Sequence, residues 1–129
     1  MVIYIKPESI PLILNKTKNH EFRNYRLDDS VKRLWLFENG IGITTVLSVG
    51  KALEVGKVKE NGGIGNKEFN EGLKESKFAY PIYGAHKIRD TITAKIAKDV
   101  FDHMLPSSHF DAPEWLTSNY SLVAMKKIF

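Results

Sequence analysis

The sequence predicts an α+β fold: a strand-rich sheet that curls into a small barrel, flanked by short helices. Three observations predict it. Apolar runs with β character recur from Val2 to Ile88, and a clear helical period shows only from Asp90 onward. No repeat, linker or low-complexity tract divides the 129 residues. A single domain over residues 1–129 buries roughly two-thirds of its unfolded surface, enough for a core without metal or disulfide.

The elements follow in order. Val2 to Lys6 reads as a strand stopped by Pro7. A short helix follows, with Ser9 as its N-cap, Pro11 in the tolerated first turn, and Ile10, Leu12, Ile13 and Leu14 for burial. Asn15 and Lys16 end it. His20 to Arg26 reads as extended, and its alternation puts Glu21, Arg23 and Tyr25 on one face and Phe22 and Asn24 on the other. Asp28-Asp29-Ser30 is a turn, and Arg33 to Phe37 is the clearest strand in the chain. Asn39-Gly40 turns into a β-branched strand, Ile41 to Val49, whose pairing Lys51 to Val58 extends. A glycine-rich loop, Glu60 to Asn66, leads to a weak helix over Lys67 to Ser76. Lys77 to Ile88 returns to strand. Ile92, Ile96, Val100 and Met104, with Ala97, Phe101 and Leu105, then form one apolar helical stripe closed by Pro106. Ala112 to Leu116 suggests one more helical turn, and Tyr120 to Phe129 a closing strand.

Composition narrows the chemistry. With no cysteine there are no disulfides, thiolate zinc sites or cysteine nucleophiles. The first residues lack a basic leader, and nowhere do about 18 apolar residues run together, so no secretory signal and no membrane partner are expected. A cytoplasmic protein is expected, with a nuclear location open. The net charge of +4 and sequence pI near 9.2 permit an anionic partner without demanding one. Placement says more. Lys16, Lys18, Arg23, Arg26, Lys32 and Arg33 fall in one short window against Glu21, Asp28 and Asp29. Arginine suits bidentate anion recognition, so this window is the place to look for a site.

The sharpest feature in it is Asn15-Lys16-Thr17-Lys18-Asn19-His20-Glu21-Phe22-Arg23, after a strand and short helix opened by Ile5-Lys6-Pro7-Glu8. Here the chain resembles the ASCH domains of the PUA-like superfamily. Their signature is an N-terminal strand and helix followed by Gly-x-Lys-x-x-Glu-x-Arg. Lys18, Glu21 and Arg23 stand at its three polar positions and Lys16 at the glycine position. Phe78 to Ile88 resembles the family's late strand, so the resemblance spans most of the chain. It implies a PUA-like barrel with a cleft beside the motif that receives RNA or a nucleoside. Some small bacterial members are amidohydrolases acting on acetylated cytidine, and others are reported as ribonucleases. In the amidohydrolase subgroup a threonine stands where this chain has Glu21.

The trio also makes sense on its own chemistry. A carboxylate two residues from an arginine on one strand face can fix the guanidinium, and Lys18 adds a mobile charge for a phosphate or carbonyl oxygen. A solvated Glu–Arg pair with no function is the plainer reading, worth about 0–1 kcal/mol. The binding reading takes Lys18, Glu21, Arg23 and Tyr25 as the cleft, with Lys16, His20, Arg26, Lys32 and Arg33 as surrounding contacts. The alternative is a small hydrolase in which Lys18, desolvated beside Arg23, is base or nucleophile and Glu21 donates a proton. A third reading is a sensor of a small anionic metabolite. No cofactor and no metal is expected, because His103, His109, Asp102 and Asp111 match no ligand spacing. Tyr25, Trp35, Tyr80, Tyr83 and Trp115 could stack bases; Tyr25 is favoured by its face, and Trp35 reads as core. Gly62-Gly63-Ile64-Gly65 reads as a surface loop able to fold over a ligand.

Overall fold

The computed structural model describes residues 1–59, 61–93, 95, 96, 98, 102 and 109–129. Over these residues the chain is a mixed α+β fold with a curled sheet forming a half-barrel and a few short helices. The sheet has eight strands: β1 Val2–Ile5, β2 His20–Arg23, β3 Arg33–Glu38, β4 Gly42–Val49, β5 Leu53–Glu54, β6 Phe78–Thr93, β7 His109–Phe110 and β8 Lys126–Lys127. The spatial order is β2-β6-β4-β3-β1-β7, with β5 and β8 also on β6. Among the described strand pairs only β1–β3 is parallel, with Val2 opposite Trp35. The helices are α1 Ser9–Leu14, α2 Asn66–Asn70 and α3 Glu114–Asn119, and a 3-10 turn spans Leu122–Ala124.

The unbroken apolar run in β3 has a simple cause: both faces of the central strands are covered. Leu34 and Leu36 pack on one face with Ile3, Ile5, Ile10, Ile13 and Leu47. Trp35 and Phe37 pack on the other with Val2, Ile43, Val46 and Leu116. Trp35 is therefore core. A smaller cluster of Val58, Phe69 and Ala79 takes Phe22 against it.

β6 is the organising strand. Its start lies between β2 and β5, with Phe22 and Leu53 both opposite Ala79, and its later part pairs with β4 and β8. Along β4 the register jumps from Ser48 opposite Gly84 to Val49 opposite Ile82, which leaves Tyr83 as the extra residue of a β-bulge.

Several expected boundaries move. Ser9 is not the N-cap of α1: Glu8 takes that place without a side-chain bond, and the Ser9 amide donates to the Lys6 carbonyl instead. β2 stops at Arg23 rather than running to Arg26, because the buried Tyr80 hydroxyl accepts from the Leu27 amide (2.8 Å) and donates to the Tyr25 carbonyl (2.7 Å). That clamp bends the backbone away from β6. The second helix is only Asn66–Asn70, ended before Gly72 at φ 74°. The pairing expected over Lys51 to Val58 reduces to Leu53–Glu54. The helix expected from Asp90 does not start there: Asp90 to Thr93 continue β6, with Ile92 opposite Ile43. Helical backbone is seen at Lys98 and Asp102, while Val100, Phe101, Met104 and Leu105 lie outside the described residues. The closing segment has a 3-10 turn before a two-residue strand, not one continuous strand.

Candidate functional site

The site starts at the end of α1. Lys16, at the glycine position of the motif, has φ 66° and is the one non-glycine described in the left-handed region. The Thr17 amide donates to Asn15 Oδ1 (2.9 Å) and the Lys18 amide to the Leu12 carbonyl (2.9 Å). The chain thus reverses tightly out of the helix and delivers Lys18 beside the first residues of β2.

The alternation expected from His20 to Arg26 is realised as far as Arg23, where β2 ends. Glu21 is 4% exposed, and its two oxygens are shared between two cations. Lys18 Nζ lies 3.2 Å from Oε2 and Arg23 Nη2 lies 3.2 Å from Oε1. Arg23 Nη2 also donates to the Tyr4 carbonyl (2.8 Å), which ties β2 to β1 across the half-barrel. Glu21 and Arg23 line a depression of about 400 Å³ with Tyr4, Ile5, Lys6, Ser9 and Asn39.

Tyr25 lies on the same side. Burial pushes its phenol above the usual range, against the opposing pull of nearby Arg23, and Glu21 adds to the rise. Its ring stacks on His109, with centroids 3.8 Å apart and planes 19° apart. Burial, and then the charge of Arg23, hold His109 below the ordinary histidine range. His109 is a site residue that sequence reasoning did not place here. Its only signal was a histidine between Pro106-Ser107-Ser108 and Phe110, too short for a strand assignment. Tyr4, Lys6 and Asn39 were missed for a plainer reason: their neighbours come from the β1–β3 pairing, which no local pattern encodes.

The remaining expected residues divide over the surface. Lys16 and Lys18 border a second depression of about 300 Å³ with Asn19, Ile82, Tyr83 and Phe129, and Lys16 Nζ sits 5.0 Å from the Phe129 ring centre. His20 faces away from Glu21, near Phe22, and with Lys32 it lines a larger groove on the β6 side. Burial lowers the His20 pKa, and its ring contacts Asn19 Oδ1 at 2.7 Å. An amide oxygen only accepts, so Nδ1 carries the proton there. Arg26 is exposed and paired with Asp29 at 3.0 Å. Arg33 lines a separate depression with Met1 and Trp35. The structure therefore brings Lys18, Glu21, Arg23 and Tyr25 together and leaves Arg26 and Arg33 apart.

Of the other aromatics, Tyr80 is core and Tyr83 is 70% exposed. The glycine loop is pinned: the Ile64 amide donates to the Thr17 carbonyl (3.0 Å), and Asn19 joins Asn61 and Asn66 through side-chain hydrogen bonds. A Cβ at Gly63 would collide with Asn19 Oδ1 and Asn66 Nδ2, so a larger residue there must displace the Asn19–Asn66 hydrogen bond. Among the described residues no three His, Cys, Asp or Glu side chains group as metal ligands, and His103 lies outside them. No described helix is long and apolar enough to cross a membrane. Comparison with protein-family models, with curated proteins and with solved structures finds no match to this chain.

Proposed function

We propose that the chain is an RNA- or modified-nucleoside-binding domain of ASCH type with a PUA-like half-barrel. The observation that carries this reading is the buried Glu21 carboxylate, held between Lys18 and Arg23 beside a depression of about 400 Å³. A pocket of that size is within the range that holds a nucleoside-sized ligand. A fixed carboxylate accepts hydrogen bonds from the amino and imino edge of a base, while Arg23 and Lys6 offer donors to phosphate or sugar oxygens. The Lys18–Glu21–Arg23 spacing that resembles the family signature supports the same assignment.

The hydrolase reading has less support. It needs a free amine on Lys18 and a carboxyl on Glu21 able to donate a proton. The two groups instead contact each other at 3.2 Å, and Glu21 is also held by Arg23. Calorimetric titration with cytidine, acetylated cytidine and a short single-stranded RNA separates the readings. Binding of nucleoside or RNA without turnover, lost in Glu21→Gln, is the expected result. Deacetylation or cleavage abolished by Lys18→Ala would replace it with the hydrolase. Saturable binding of a mononucleotide with no affinity for RNA would favour the metabolite sensor.

A further inference from the structure

The largest groove described on the molecule is not the Glu21 depression. It measures about 830 Å³ and is lined by Lys32, Lys51, Lys57 and Lys59, together with His20, Tyr83 and uncharged residues of β4, β5, β6 and the adjoining loops. No acidic residue is among the described residues lining it. Lys51, Lys57 and Lys59 are exposed and lie outside the arginine-rich window; the first two fall in the Lys51 to Val58 segment that the sequence marked only as a continuation of sheet pairing.

Two features set this groove apart from an ordinary solvated face. The first is Tyr83. It is the extra residue of the β6 bulge, which turns its side chain outward, and it is 70% exposed. Its ring is nevertheless held in place. A Cβ at Gly50 would come within 2.7 Å of Tyr83 Cε2 and 2.9 Å of the Pro81 ring, so the phenol packs directly on the Gly50 backbone. An exposed aromatic ring with a fixed seat is a ready stacking platform, because little side-chain freedom is lost when a base covers it. The second is continuity. Tyr83, Asn19 and Ile82 line this groove and also the depression of Lys16 and Lys18, and Lys18 contacts Glu21. Cations and an aromatic step thus run from Lys57 and Lys59, past Tyr83, to Lys18, whose ammonium lies 3.2 Å from the Glu21 carboxylate.

We infer that this groove is the path of a single-stranded RNA: Lys32, Lys51, Lys57 and Lys59 meet successive phosphates and Tyr83 stacks one base. The inference deepens the nucleic-acid reading of the Lys18–Glu21–Arg23 site and rests on it. It names the ligand as an oligonucleotide that extends beyond the pocket, not a free nucleoside. Duplex RNA does not satisfy the geometry, since its bases are already stacked on one another and cannot cover Tyr83.

The test is fluorescence anisotropy with a labelled oligouridine of about 12 nucleotides, a length within the range single-strand grooves cover. The full chain is compared with Lys51→Gln/Lys57→Gln/Lys59→Gln, Tyr83→Ala, Tyr83→Phe and Arg23→Ala. The triple variant should lower the slope of log affinity against log salt by about 2, roughly 0.7 for each lost phosphate contact. Tyr83→Ala should weaken binding about tenfold, and Tyr83→Phe should restore it. Cytidine binding by calorimetry should stay unchanged in the triple variant. An unchanged slope and affinity in the triple variant, with binding lost in Arg23→Ala, overturns the groove and leaves the pocket standing. The reverse pattern supports the groove and removes the pocket. Equal affinity for duplex RNA, or for polyglutamate, overturns single-strand recognition.

Discussion

Glu21 is the residue on which the site turns. Glu21 is 4% exposed, and its carboxylate is shared by Lys18 and Arg23, whose side chains are themselves 14% and 17% exposed. Removing the charge leaves two cations close together in a poorly hydrated place, which costs more than the ion pairs add. Glu21→Gln should therefore destabilise the fold by about 2 kcal/mol, measured by urea denaturation. The two histidines near the site make a second prediction. Burial holds both His20 and His109 below the ordinary value of 6.5. The unfolded chain then takes up protons just below pH 6.5 that the folded chain refuses, so the unfolded state gains. Stability should be full above pH 6.5 and fall as acid is added through the window beneath it. The fall should flatten in His20→Gln/His109→Gln, measured by thermal melts at successive pH values. An identical pH profile in that double variant would show that other groups carry the effect.

Among the elements, β6 does most to position the site, and one buried phenol links it to β2. Tyr80 is 2% exposed and its hydroxyl bridges the Leu27 amide and the Tyr25 carbonyl. Tyr80→Phe leaves both groups without that partner and should cost about 2 kcal/mol in denaturant. It should also free Tyr25 from its seat on His109, visible as a loss of the ring-current shift of the His109 ring protons by NMR. Strands with strong local signals were legible in the sequence: β1, β3, β4 and the start of β6 lie where β-branched and aromatic residues cluster. The alternation of Glu21, Phe22 and Arg23 was legible for the same reason. The end of β2 was not, because it is set by Tyr80, which lies far away in the chain. The strand over Asp90 to Thr93 was hidden by a helical stripe beginning at Ile92, whose side chain instead packs against Ile43 and Trp35. Tertiary pairing overrode the local period there. Lys16 was read as a departure from the glycine of the motif, yet its φ of 66° keeps the backbone shape that a glycine would supply.

At the scale of the whole molecule, the net charge of +4 says little, and its arrangement says a good deal. Arg26 is engaged by Asp29, and Arg33 faces a different depression. The cations that remain near the site come from three distant stretches: Lys18 just before β2 with Arg23 on it, Lys6 after β1, and the lysines around β5. Only the first group was legible as a cluster, because the others meet it through strand pairing rather than through proximity in sequence. A polyanion should feel Arg23 more than Lys32, since Arg23 is fixed by Glu21 and Tyr4 while the Lys32 ammonium bonds only the Asp29 carbonyl among the described contacts. The most direct measurement is anisotropy of a short fluorescent single-stranded RNA over a salt series, for the unaltered chain, Arg23→Ala and Lys32→Ala. Binding should weaken about fiftyfold between about 50 and 200 mM salt for the four phosphate contacts of the lysine groove, with Arg23→Ala costing more than Lys32→Ala. No binding at the lowest salt, or binding that Arg23→Ala leaves unchanged, would contradict it.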